Sequence, residues 1–142
     1  MLREITVDDI KIIDKIGSLI KEDFNKKYDI ENFINYDYAQ IYVYEEDGKV
    51  LGFIQVEEHY EILDLINIAV SENVHGKGIG SKLIQYAIEK SKADKMMLEV
   101  RESNTSAIRL YEKNGFKEIN RRKKYYGDED AIIMERVILW KM

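Results

Sequence analysis

The stretch that most restricts this chain runs from Ile62 to Val70, nine residues broken only by Asp64 and Asn67. A run of that length and apolarity fits a strand covered on both faces, in the middle of a sheet rather than at its edge. It leads into His75-Gly76-Lys77-Gly78-Ile79-Gly80-Ser81. A helix is predicted from Ile79 to Ser91, with Ile79, Leu83, Ile84, Ala87 and Ile88 on one stripe. Met96 to Val100 then reads as another buried strand. A strand, a helix and a strand in that order need a crossover connection, so part of the sheet is expected to be parallel.

The rest of the chain is organised around this unit. Leu2 to Ile5 alternates weakly and reads as a first strand. Ile10, Ile13, Ile16 and Ile20 recur at helical spacing within a helix predicted over Val7 to Ile20, and a second short helix is predicted around Ile30 to Ile34. Gln40 to Tyr44 and Val50 to His59 read as a hairpin turned at Asp47-Gly48. Downstream, a helix from Thr105 to Lys113 has Asn104 placed to cap its start and Gly115 to end it. Phe116 to Tyr125 and Ala131 to Val137 read as two closing strands around Gly127-Asp128-Glu129. With no proline and no low-complexity segment to divide the chain, residues 1–142 are expected to form one domain.

Composition excludes several kinds of chemistry. There is no cysteine, hence no disulfide, thiol nucleophile or thiolate metal site, and two histidines are too few for an all-protein zinc site. A net charge of −5 argues against direct nucleic-acid binding but suits a basic partner such as an amine. No apolar run reaches the ~18 residues of a membrane span and the first residues do not form a signal peptide, so a cytoplasmic protein is the expectation. Monomer and homodimer both remain open.

The glycine turn can hold a phosphate group. Glycines at alternate positions let the backbone bend and approach a ligand, and the first N–H groups of the following helix point at an anion. Neither common nucleotide signature fits. A Walker loop needs Gly-Lys-Ser/Thr, whereas Gly80 is followed by Ser81-Lys82. The dinucleotide fingerprint needs Gly-x-Gly-x-x-Gly near the first strand, and this turn is Gly-x-Gly-x-Gly in mid-chain. On the glycines alone a simple tight turn fits as well, so the surrounding residues must decide.

Those residues carry a resemblance. Asn67-Ile68-Ala69-Val70 followed by His75-Gly76-Lys77-Gly78-Ile79-Gly80 is similar to the cofactor motif of the GNAT acetyltransferases, with His75 where that motif usually has Gln or Arg. Leu98-Glu99-Val100-Arg101-Glu102-Ser103-Asn104, Ala107 to Phe116, Arg121 to Tyr126 and Glu129-Asp130-Ala131 resemble the RimI-type branch, which acetylates the N-terminal alanine of a small-subunit ribosomal protein. The resemblance implies an α/β GNAT fold: a mixed, largely antiparallel sheet of about six to seven strands, flanking helices and a splayed parallel pair holding CoA. It implies acetyl-CoA as cosubstrate and a protein N-terminus as partner. By the same resemblance Ile68, Ala69 and Val70 contact pantetheine through their backbone, and Gly76, Lys77, Gly78, Ile79, Gly80 and Ser81 bind the pyrophosphate. The resemblance further implies that Asn104 touches CoA, that Glu99 is the base and Tyr111 the acid, and that Tyr125 and Tyr126 line the peptide groove.

The residue types suit that reaction. An amine must lose a proton before it attacks a thioester, the developing oxyanion needs a donor such as a strand N–H near Ile68, and the departing thiolate must be protonated. Glu99 sits between Leu98 and Val100 on the predicted strand, so it points to the other face, where a carboxylate must reach a polar cleft or be costly. Plainer alternatives are a salt-bridged Glu99, a packing role for Tyr111, Tyr125 and Tyr126 as ordinary strand residues, and a solvated basic run Arg121-Arg122-Lys123-Lys124. The match weakens on the acceptor side. The Pro-Trp-Ser segment common in RimI-type proteins is replaced by Lys21 to Tyr28, the only tryptophan is Trp140, and Gly127 stands where proline is common. A small-molecule amine as acceptor, or a CoA-binding sensor without turnover, are the competing functions.

Overall fold

The computed structural model describes residues 1–21 and 24–138, the side chains of Lys26 and Lys27 excepted, so Trp140 lies outside the described residues. Its spine is a seven-stranded sheet. β1 is Leu2–Glu4, β2 Ala39–Glu46, β3 Lys49–His59, β4 Ile62–Val70, β5 Lys95–Arg101, β6 Lys117–Arg122 and β7 Ala131–Val137. The spatial order is β1-β2-β3-β4-β5-β7-β6. The predicted hairpin joins β2 to β3, and Asp47 and Gly48 both take positive φ (52° and 78°), as a two-residue turn of the primed type requires.

Helices pack on both faces. α4 (Ile79–Lys90) and α5 (Thr105–Lys113) cover one face, where Leu83, Ile84, Ala87 and Ile88 meet Ile54, Val56, Leu63, Leu65, Met96 and Leu98 in the larger core. On the other face lie α1 (Ile10–Gly17), α2 (Phe24–Lys27) and α3 (Ile30–Phe33). Their Ile13, Ile16, Phe24, Ile30 and Phe33 join Ile41, Val43, Phe53 and Ala69 in a second core. That second core draws only on β2, β3 and β4, and no residue of β5, β6 or β7 belongs to it.

Several sequence expectations shift. The predicted helix over Val7 to Ile20 is a 3-10 turn at Val7–Asp9 followed by α1, which stops at Gly17. Gly17 is a close approach: the Phe24 ring occupies the place a Cβ would take, so only glycine fits at the end of α1. α2 has no counterpart in the sequence expectations, because its four described residues are too few for a periodicity to form.

Of the two strand–helix–strand units, only β4-α4-β5 gives a paired parallel ladder. β7 inserts between β5 and β6 and pairs antiparallel with both. The strand predicted over Phe116 to Tyr125 is shorter, ending at Arg122. Lys124 turns to φ 50° with its N–H on Asp130 Oδ1 (2.9 Å), which takes the chain out of the ladder before the tyrosines.

Candidate active site

Two irregularities in the middle of the sheet make the site. The first is a bulge. Gln55 pairs with Asn67 and Val56 with Leu65, so Ile66 is skipped on β4. Before it Leu63 and Leu65 face the α4/α5 core, whereas after it Ile68 and Val70 do and Ala69 turns to the other core. One extra residue has reversed the faces, as a period of two demands. Gln55, 1% exposed, accepts from Asn67 Nδ2 at 2.8 Å and ties β3 to β4 at this point.

The second irregularity is a splay. β4 and β5 pair only at Ile62↔Lys95, Leu63↔Met96 and Asp64↔Met97. Beyond Asp64 the backbone edge of β4 that faces β5 has no strand to bond. Ser71 N–H still donates to Leu51 O on β3 (2.8 Å), and Val70 O, between them, instead accepts from His75 Nε2 at 2.8 Å. Unpaired strand edges take up an extended chain readily, since every N–H and C=O seeks a partner.

The turn after β4 is open and preorganised. Gly78 caps α4 with φ 75°, Gly76 has φ 85°, and a Cβ at either would meet nothing within 4 Å. Glycine is needed here for the left-handed backbone and leaves the turn uncovered. Gly76, Lys77 and Gly78 are exposed, whereas Ile79 and Gly80 are buried, so these last two can reach a ligand only through backbone N–H groups. Gly80 also lets the helices approach: a Cβ there would sit 3.1 Å from Leu110 Cδ2 on α5. Ser81 Oγ accepts from Asn114 Nδ2 (3.0 Å), a strut between the end of α5 and the start of α4. These residues fit a diphosphate at the α4 N-terminus and an extended amide arm along β4. Asn104 is the α5 cap, its side chain accepting from Ala107 N–H at 3.3 Å.

Glu99 and Tyr111 lie on opposite faces of the splayed region. Leu98 and Val100 point into the α4/α5 core, and Glu99 between them points to the face that α1–α3 leave uncovered. Its Oε2 accepts from Tyr126 OH (3.4 Å) and its Oε1 lies 3.4 Å from Arg122 Nε. Tyr111, on α5, is 7% exposed and packs edge-on against Phe116 with ring centres 5.8 Å apart. Burial pushes its hydroxyl up to about 12. The phenol therefore keeps its proton at neutral pH.

Tyr125 and Tyr126 stand in the turn between β6 and β7, in edge-on contact at 5.2 Å. They are not strand residues, and the turn brings Tyr126 to Glu99. Tyr126 itself is raised, mainly by burial and next by the Glu99 charge. The basic run divides: Arg122 faces Glu99, Arg121 pairs with Glu118, Glu102 and Asp130, and Lys123 pairs with Asp130. Arg101, Ser103 and Glu129 lie within the family-like motifs, and no local signal in the sequence assigns them a role. Here Arg101 stacks on Tyr126, and Glu129 bonds both Arg101 and Ser103.

Comparison with known proteins identifies the family. Residues 10–116 match the acetyltransferase (GNAT) family. The chain is 34% identical to an N-alpha-acetyltransferase of Sulfurisphaera tokodaii, over 94% of this chain and 90% of that protein. It is 37% identical to the ribosomal protein bS18-alanine N-acetyltransferase of Escherichia coli, over 73% of this chain and 71% of that one. The crystal structure of the ribosomal-protein-S18-alanine N-acetyltransferase from Escherichia coli superposes with a TM-score of 0.85 at 28% identity, covering 97% of this chain and 93% of that chain. Since that family match spans most of its length, this chain belongs to the GNAT family of acetyltransferases.

Proposed function

We propose that the protein transfers the acetyl group of acetyl-CoA to the α-amino group at the N-terminus of a protein, in the manner of the RimI-type enzymes that acetylate the N-terminal alanine of a small-subunit ribosomal protein. The observation that carries this reading is the contact of Tyr126 with Glu99 on the uncovered face, which puts a paired-tyrosine turn beside the candidate base. The names of the two relatives above, both acting on α-amines, support the same acceptor class.

In this reading the backbone of Ile68, Ala69 and Val70 holds the pantetheine arm, and the turn from Gly76 to Ser81 holds the diphosphate, with Asn104 beside it. His75 must then release Val70 O for that carbonyl to take part. Bound acetyl-CoA supplies a thioester carbonyl carbon. Glu99 removes a proton from the acceptor ammonium, directly or through water, and a β4 N–H near Ile68 receives the developing oxyanion. Tyr111, approaching from the helix face, holds its proton at the hydroxyl oxygen and offers it to the sulfur. The two faces keep the roles apart: the acceptor arrives from the open side, the donor from the α4/α5 side. A weak base suffices for an α-amine of pKa about 8, whereas a lysine side chain near 10.4 costs roughly 3 kcal/mol more to deprotonate.

A panel of N-terminal peptides and free amines, assayed with acetyl-CoA, tests the acceptor. Turnover of an alanine-initiated peptide is expected, with spermidine and other small amines slower. Turnover of polyamines alone would make the protein a small-amine acetyltransferase.

A further inference from the structure

Two motif stretches, one ending β5 and the other leading into β7, are joined by a chain of contacts that ends on Glu99. Ser103 donates to Glu129 Oε1 from its N–H (3.1 Å) and its hydroxyl (2.7 Å). These bonds hold the Glu129 carboxyl below the usual range, so it remains an anion. Its other oxygen accepts from an Arg101 guanidinium N–H at 3.5 Å. The Arg101 guanidinium carbon lies 4.0 Å from the centre of the Tyr126 ring. Tyr126 OH in turn donates to Glu99.

Arg101 and Glu99 are two residues apart on β5, so both side chains rise from the uncovered face. Among the described residues, no side chain of β5, β6 or β7 joins the core under α1–α3, so that core does not hold the turn. The Arg101–Glu129 pair alone would matter little, because its side chains are partly exposed to water. A planar guanidinium can do two things at once: bond a carboxylate along its edge and offer its flat side to a ring. Lysine can do only one of these well.

We infer that Arg101 is a positioning residue, a seat that fixes the Tyr126 ring so that its hydroxyl meets Glu99 and the turn presents itself to the acceptor. The assignment rests on the reading of Glu99 as the base. It concerns the acceptor side only, and the CoA turn lies outside the chain of contacts.

The test is steady-state kinetics with acetyl-CoA and an alanine-initiated peptide, run on Arg101→Met, Arg101→Lys, Tyr126→Ala and the Arg101→Met/Tyr126→Ala double variant. Acetyl-CoA affinity is measured by calorimetry on each. Arg101→Met should raise the peptide KM about fivefold in the presence of Tyr126, with acetyl-CoA affinity unchanged. In the Tyr126→Ala background the same substitution should change nothing, because the ring it seats is gone. Arg101→Lys should recover part of the loss. Equal effects in both backgrounds, or no kinetic effect at all, would overturn the seat. Glu99→Gln is measured alongside. If it turns over as the unaltered protein does, the base reading falls and the seat with it, whereas lost turnover with uncoupled Arg101 and Tyr126 removes only the seat.

Discussion

One face of the sheet has two halves that could hardly differ more. Over β2, β3 and the end of β4, helices α1–α3 seal the face with Ile13, Phe24 and Phe53, each 0% exposed. Over β5 and β6 the same face carries Glu99, Arg101 and Arg122, open to solvent and linked by ion pairs and ring contacts. The covered half holds the molecule together by apolar burial, and the open half, with the proposed base Glu99, is held by directed polar contacts. A cover of three short helices is long enough for half of a seven-stranded sheet and no more. In the proposed function, the uncovered half is where the acceptor reaches the splay.

The contrast breaks if removing apolar volume from the sealed half disturbs catalysis as much as stability. Phe24→Ala is expected to cost about 3–5 kcal/mol, read as a fall in the denaturant midpoint, while acetyl-CoA affinity of the folded protein stays the same. The converse is Glu99→Gln in the open half. Turnover should drop about 100-fold near neutral pH, equivalent to about 3 kcal/mol in the barrier, with partial recovery at higher pH as free amine accumulates, and the melting temperature should hardly move.

Tyr111 sharpens the boundary from the opposite face. Burial pushes its hydroxyl up to about 12 in the folded chain, against an ordinary value of 10. A raised value means the folded state keeps its proton longer, so the associated stability is complete below pH 10 and disappears as pH climbs toward 12. Tyr111→Phe should remove about 2 kcal/mol of that alkaline loss, measured by comparing denaturant midpoints at pH 9 and above. The same variant should slow turnover with little change in acetyl-CoA binding. The smallest effect is at the glycine turn. Gly78→Ala must hold φ 75° with nothing to clash against, so about 1 kcal/mol of stability and a few-fold loss of acetyl-CoA affinity are expected. An unchanged affinity would mean the turn does not touch the cofactor.

The residues themselves determined a good deal. The apolar run Ile62–Val70 fits a central strand, though on the α1–α3 side only its Ala69 joins a core, and the glycines with the stripe on α4 follow it in an order that needs a parallel crossover. Asn104 was legible as a cap because a short polar side chain at that place has one strong local use. The identity of the cosubstrate came from motif likeness rather than from spacing. Tertiary structure alone decided the rest. Nothing local says that β7 inserts between β5 and β6, since strand order depends on which edges meet in space. The bulge at Ile66 is written in the pairing of two strands and in neither strand singly. The meeting of Arg101 with Tyr126 crosses a turn of the chain, where side-chain contacts obey geometry rather than sequence periodicity. Local propensity and hydrophobic period act over a few residues, so they fix elements; the juxtaposition of elements, and with it the site, is fixed by how their faces pack.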